Sequence, residues 1–197
     1  MEPLPAAYRW LNSHVPLPKI VTAALEQLGT VEVPGKANSS VIMGWADEVG
    51  VGAIGYRYTG DDVPWCGLFM AAMAKRAGKP IPAGPLYALN WAQFGDMVAS
   101  RASLDTAKPL RAFNGRVPSL GDVLVFRRPT GGHVGLYVGE DANAFHVLGG
   151  NQGDRVCILR IAKARCVAVR RPPMSIPPAS VRPFQLAAAG ALSKDEA

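Results

Sequence analysis

The spacing of apolar residues changes character at Asp122, and that change limits the chain to one class of fold. Upstream, Ile20, Ala24, Leu25 and Leu28 share a helical face that stops at Gly29, and Val41, Ile42, Trp45 and Val49 share another that stops at Gly50. A third helical run, Leu68, Phe69, Ala72, Met73 and Arg76, is closed by Gly78 and Pro80. From Asp122 onward the period falls to two and yields about five strand-like runs parted by turn residues. Helices followed by antiparallel strands define an α+β fold, with N-terminal helices packed on a C-terminal sheet. A further helix is expected over residues 86–97, and residues 98–120 read as irregular. The 197 residues, 49% of them hydrophobic, suffice for one core without covalent staples. Residues 1–17 form a proline-punctuated arm carrying Tyr8, Trp10 and Leu11, residues 18–172 the domain, and residues 173–197 an extended, flexible tail whose residues 186–192 can add a helical turn or two.

The segment Asp61-Asp62-Val63-Pro64-Trp65-Cys66-Gly67 places a cysteine at the start of the third helix. Pro64 suits a first turn, and the acidic pair Asp61-Asp62 is a capping neighbourhood. Unpaired N–H groups and the helix dipole favour a thiolate there, and the same N–H groups can hold an oxyanion. Some 65 residues later Thr130-Gly131-Gly132 turns the chain into His133, which opens the run Val134, Leu136, Tyr137, Val138. If residues 133–138 and 143–149 form a hairpin centred near Asp141, facing residues have numbers summing to roughly 282. His133 then faces Gly149, and Asn151 is its same-face diagonal neighbour, placed to orient the imidazole of a Cys-His-Asn arrangement. The same parity puts His146 on the other face, and a bulge overturns the count.

Trp65-Cys66, Gly121-Asp122 before Val123-Leu124-Val125-Phe126, Gly132-His133-Val134-Gly135 and Leu148-Gly149-Gly150-Asn151-Gln152 together resemble the CHAP and NlpC-type papain-like peptidoglycan hydrolases, in particular the branch found in phage and prophage endolysins. The resemblance extends upstream to Leu28-Gly29-Thr30-Val31 and to Ala88-Leu89-Asn90-Trp91, and spans residues 18–172. It implies a half-barrel of antiparallel strands on helices, with Cys66 as nucleophile, His133 as general base and acid, and Asn151 as the third residue. It also implies cleavage of a peptidoglycan amide, by an N-acetylmuramoyl-L-alanine amidase or a peptide endopeptidase, without metal or cofactor. Trp65, Trp91, Asp62 and Gln152 are the candidate substrate-binding residues. Each tryptophan either lines a groove or fills the core, and Asp62 either meets a substrate amine or caps the helix. Tyr56 and Tyr58 lie upstream of Cys66, where the enzymes this chain resembles often place a tyrosine near the thiol, and the sequence does not say which of them, if either, points inward.

A formal charge of +6 suits an anionic wall or envelope, and no nucleic-acid motif accompanies it. The three cysteines have no zinc-type spacing. Cys157 and Cys166 read as small core residues on two strands joined by a tight turn at Ala162-Lys163. The opening Met1-Glu2-Pro3-Leu4-Pro5 lacks a basic start with an apolar run, so synthesis in a host cytoplasm without a signal peptide is expected; the resemblance implies action on the wall after release, and a monomer is expected. No apolar window reaches membrane-spanning length. A catalytically silent wall-binding module and a thiol acyltransferase are the alternatives on the same fold.

Overall fold

The computed structural model describes residues 2–188 and 190–193. Four α-helices, α1 (Lys19–Leu25), α2 (Ser40–Val49), α3 (Val51–Ile54) and α4 (Cys66–Arg76), precede most of the sheet. Helix α4 is its centre: every residue from Cys66 to Ala74 is buried. A helix that is apolar all round must be covered all round. Helices α1 and α2 cover one side and the sheet the other. At its C-terminal end Lys75 Nζ donates to the carbonyls of Glu48 (2.6 Å) and Val49 (3.2 Å), satisfying the last turn of α2, and Arg76 pairs with Glu48 at 2.8 Å.

The sheet is antiparallel and has seven strands: β1 (Asp96–Ser100), β2 (Arg111–Ala112), β3 (Val123–Arg127), β4 (Gly132–Glu140), β5 (Ala144–Gly149), β6 (Cys157–Ala162) and β7 (Cys166–Arg171), ordered β2-β1-β7-β3-β4-β5-β6. The five runs after Asp122 are β3 to β7. The other two come from stretches read as helix and as irregular chain: residues 88–93 form only a short 3-10 turn, and the chain then extends into β1. Strand β1 carries no alternating signal, with Asp96 and Met97 exposed and Val98 and Ala99 buried, and pairing with β7 and β2 sets its conformation.

Strands β6 and β7 do not form the expected hairpin. A 3-10 turn at Lys163–Arg165 carries the chain from the sheet edge to its middle, where β7 pairs with β1 and β3. Four consecutive buried residues, Cys166 to Val169, suit a strand covered on both faces. Cys157 therefore lies opposite Gly149 and Cys166 opposite Phe126, and all three cysteines are free. One face of the sheet joins the helices in the main core. The other encloses a second cluster that includes Val98, Phe126, Tyr137, Phe145 and Ile161, drawn from strands across the sheet.

Both flanking segments are tied down. In the N-terminal arm Ala6–Ser13 is a 3-10 helix with Tyr8 and Leu11 buried. Tyr8 donates its hydroxyl to His146 Nδ1 at 2.8 Å, His146 Nε2 donates to Asp141 Oδ2 at 3.0 Å, and Arg160 Nε donates to the same oxygen at 2.7 Å. The tail is extended and makes no helical turn among its described residues. Phe184 is buried, Gln185 and Leu192 form bridges with Glu140 and Arg160, and Ser180 Oγ donates to Pro16 O at 2.7 Å. Residues 1, 189 and 194–197 of the arm and tail lie outside the described residues. Among the described residues no helix is long and apolar enough to cross a membrane.

Candidate active site

Cys66 is the first residue of α4, and it is 6% exposed. The acidic pair does not cap the helix. Asp61 is buried and accepts from the N–H groups of Val33 (3.0 Å) and Ser39 (2.8 Å), bracing an upstream loop, while Asp62 is exposed. The helix has no side-chain cap and starts with Phe69 N–H donating to Trp65 O at 2.9 Å. A helix start with free N–H groups is what an anionic sulfur or oxygen requires. The thiol nevertheless titrates above its ordinary range because burial dominates. Opposing the burial are the N–H of Val134, the Arg128 guanidinium and the N–H groups of Gly67 and Cys66 itself. A buried neutral thiol needs a base beside it, rather than a resting thiolate, to become a nucleophile.

The Val134 N–H that reaches the thiol belongs to the residue after His133, so α4 delivers its cysteine to the start of β4. His133 is 1% exposed. Its Nε2 donates to Gln152 Oε1 at 3.0 Å. The orientation of that amide is fixed from behind: Gln152 Nε2 donates to the carbonyls of Cys157 (2.7 Å) and Val147 (3.2 Å), so the oxygen must face the imidazole. The proton of His133 is thereby placed on Nε2, which leaves Nδ1 as the basic nitrogen. Gly149 makes the arrangement possible, because a Cβ there would lie 2.9 Å from Gln152 Oε1 and 3.3 Å from His133 Nε2.

The residue that holds the histidine is thus Gln152, assigned from sequence to substrate binding, and not Asn151. A departure just beyond the hairpin exchanges their roles. The pairing sum is 284 at Leu136–Leu148, even like the expected 282, so odd-numbered residues stay on the His133 face, and the Val138 bulge changes the sum to 285 only toward the turn. Asn151, just beyond β5, takes a left-handed conformation (φ 55°), which breaks the alternation, and the next side chain is the one that meets the imidazole. Asn151 is 4% exposed, and its Oδ1 has no hydrogen-bond partner among the described residues. His146 lies on the other face, in the network that holds the arm.

Neither tryptophan lines an open groove. Trp65 is fully buried, stacks near Trp45 with ring centres 5.8 Å apart and donates to Glu32 Oε2 at 3.1 Å. Trp91 is fully buried and donates to Pro85 O at 2.9 Å. Of the two upstream tyrosines, Tyr58 points inward, donating to Val63 O at 2.7 Å, and Tyr56 is exposed. Asp122 accepts from Ser119 N–H at 2.9 Å and from Arg171, the turn-closing role its position after Gly121 suggests. Among the described residues no three His, Cys, Asp or Glu side chains converge as metal ligands. Comparison with protein-family models and with curated proteins gives no match to the chain.

Proposed function

We propose that the protein is a papain-like cysteine hydrolase of the CHAP/NlpC type that cleaves an amide bond of peptidoglycan. The observation that carries this reading is the ordered chain Gln152, His133 and the Cys66 helix start: an amide fixed from behind sets the imidazole tautomer, and that imidazole belongs to the residue next to the N–H that meets the thiol. In the reaction His133 Nδ1 takes the proton of Cys66 as Sγ bonds to the carbonyl carbon. The oxyanion is held by N–H groups at the start of α4. Collapse breaks the C–N bond, His133 returns the proton to the leaving amine, and water, deprotonated by the same nitrogen, releases the acid and restores the thiol. The +6 charge supports attraction to an anionic wall.

The burial of Cys66, 6% exposed, favours one second reading, a module that binds the wall without cutting it. Digestion of purified peptidoglycan by wild type and by Cys66→Ala, with fragments identified by mass spectrometry, separates the two. Fragments released only by the wild type support the hydrolase. Intact wall from both folded proteins, with protein retained on it, supports the binding module.

A further inference from the structure

A cavity of about 460 Å³ opens between residues 16–20, where the arm meets α1, and residues 172–178, where the tail leaves β7. Lys79 closes one side of it. That lysine lies just beyond Arg76, the last residue of α4, whereas Cys66 is the first. The helix, 11 residues and so about 16 Å long, separates the cavity from the thiol, and the chemistry above gives the cavity no part.

Its walls are stiff and tied to each other. Five of the lining residues are prolines, Pro16, Pro18, Pro172, Pro177 and Pro178, and a fixed φ at each removes much of the backbone freedom. Across the cavity, Lys79 Nζ donates to Pro173 O at 2.6 Å, and Ser180 Oγ donates to Pro16 O at 2.7 Å. A recess held open in this way needs little ordering when it is filled. Leu17, Ile20 and Met174 add to its apolar lining. Ile176, another lining residue, is 89% exposed, more than any other large hydrophobic side chain among the described residues, which places it at the mouth. The charged residues of the lining are two lysines, Lys19 and Lys79, with no acidic side chain among them. Lys19 is exposed and makes no ion pair among the described residues.

An apolar recess with a few polar groups at its rim is the usual form of a small-molecule site, and the rim groups select the polar end of the ligand. Two ammonium groups without a counter-charge select an anion, and a compact ammonium meets a carboxylate as a point charge. A peptide would bring backbone N–H and C=O groups into a wall of prolines and aliphatic side chains that leaves them unpaired. A bilayer is met by a broad apolar face flanked by basic residues, whereas here the apolar surface is concave and Ile176 stands alone at its mouth. We propose that the cavity binds a single-chain amphiphilic carboxylate, a fatty acid, with its head between Lys19 and Lys79 and its chain along the prolines and Ile20. The inference does not rest on the hydrolase reading, because no residue of the Cys66 site lines the cavity.

The test is calorimetric titration of the full chain with dodecanoate, kept below its micelle-forming concentration. Saturable binding at one site is expected, with acetate, which has the head alone, and dodecyltrimethylammonium, which has the chain with the opposite charge, at least about tenfold weaker. Lys19→Glu should weaken dodecanoate about tenfold or more, and Lys19→Arg should keep most of the affinity. An acidic residue in the first turn of α1 agrees with the helix dipole, so the Lys19→Glu protein should unfold thermally as the wild type does. Ser175→Trp, which puts an indole into the cavity from its exposed wall, should block binding. Cys66→Ala should bind as the wild type does. No saturable dodecanoate binding, equal binding of the cationic amphiphile, or an affinity unchanged by Lys19→Glu or by Ser175→Trp overturns the proposal. Retention on vesicles of anionic phospholipid without binding of monomeric dodecanoate also overturns it, and makes this face a membrane contact instead.

Discussion

Replacing Gln152 with leucine, close to it in volume and without polar atoms, isolates what the amide does for His133. The substitution removes the acceptor 3.0 Å from Nε2 and the donor that serves the carbonyls of Cys157 and Val147 at 2.7 and 3.2 Å. A buried polar group left unpaired costs about 1–3 kcal/mol, so the two carbonyls lower stability by roughly 2–6 kcal/mol. The imidazole loses its orienting bond, also about 1–3 kcal/mol. At 1.36 kcal/mol per tenfold this is a fall of roughly 5- to 150-fold in the rate of any step needing Nδ1 at the thiol. The assay is alkylation of Cys66 by iodoacetamide across pH, read on the Cys66 peptide by mass spectrometry, alongside wall digestion. Circular dichroism at the same temperature shows that the variant is folded. Asn151→Gly is the control: glycine suits φ 55°, and the lost side chain has an unpartnered oxygen, so rates near wild type are expected. Wild-type rates for Gln152→Leu, with the loss appearing in Asn151→Gly instead, would refute the assignment of the orienting role.

Gly149→Ala places a Cβ against both partners of that hydrogen bond, so wall digestion should fall at least about tenfold while thermal unfolding shifts little beyond the ~1–3 kcal/mol typical of overpacking. Arg128→Ala removes a positive charge that lowers the Cys66 pKa, so the alkylation profile should move to higher pH and the rate at neutrality should drop. In the arm network, burial first and then Arg160 depress the His146 pKa against the pull of Asp141, and the Arg160 bond holds Asp141 well below the usual carboxylate range. Both folded pKa values are depressed, so the folded state binds fewer protons than the unfolded one. The His146 contribution to stability is present above its unfolded pKa of about 6.5 and is lost as pH falls below it, and that of Asp141 is lost further down, below about 3.9. Urea unfolding at pH 7 and pH 5 should show a decline. Tyr8→Phe, which strips the donor from His146 Nδ1, should cost about 1–3 kcal/mol at pH 7 by the same measurement.

The α+β order, the helix that starts at Cys66 and the strand that starts at His133 are legible in the sequence because each is a local event. Pro64 and the helical spacing after it mark the first, and a glycine turn followed by alternating residues marks the second. The orienting residue was not legible, because the alternation that places side chains ends at the left-handed Asn151, a backbone turn that strand parity does not foresee. The choice between groove and core for Trp65 and Trp91 rests on where each indole N–H finds an acceptor, and those acceptors, Glu32 and Pro85, belong to loops whose placement is tertiary. Strand β1 and the central place of β7 are likewise set by partners distant in sequence.

The place of β7 also constrains how the molecule comes into being. The last strand in sequence sits between β1 and β3, so a chain emerging from the ribosome holds two half-sheets with facing unpaired edges until residue 171 is out. The hairpin carrying His133 can zip early, but its scaffold closes only when the C-terminal segment threads between strands made some 40 and 70 residues before it. The arrangement of His133 and Gln152 on a closed sheet therefore waits for β7. Any nick or stop ahead of Cys166 leaves a fragment with two unpaired strand edges and not a smaller version of the same fold.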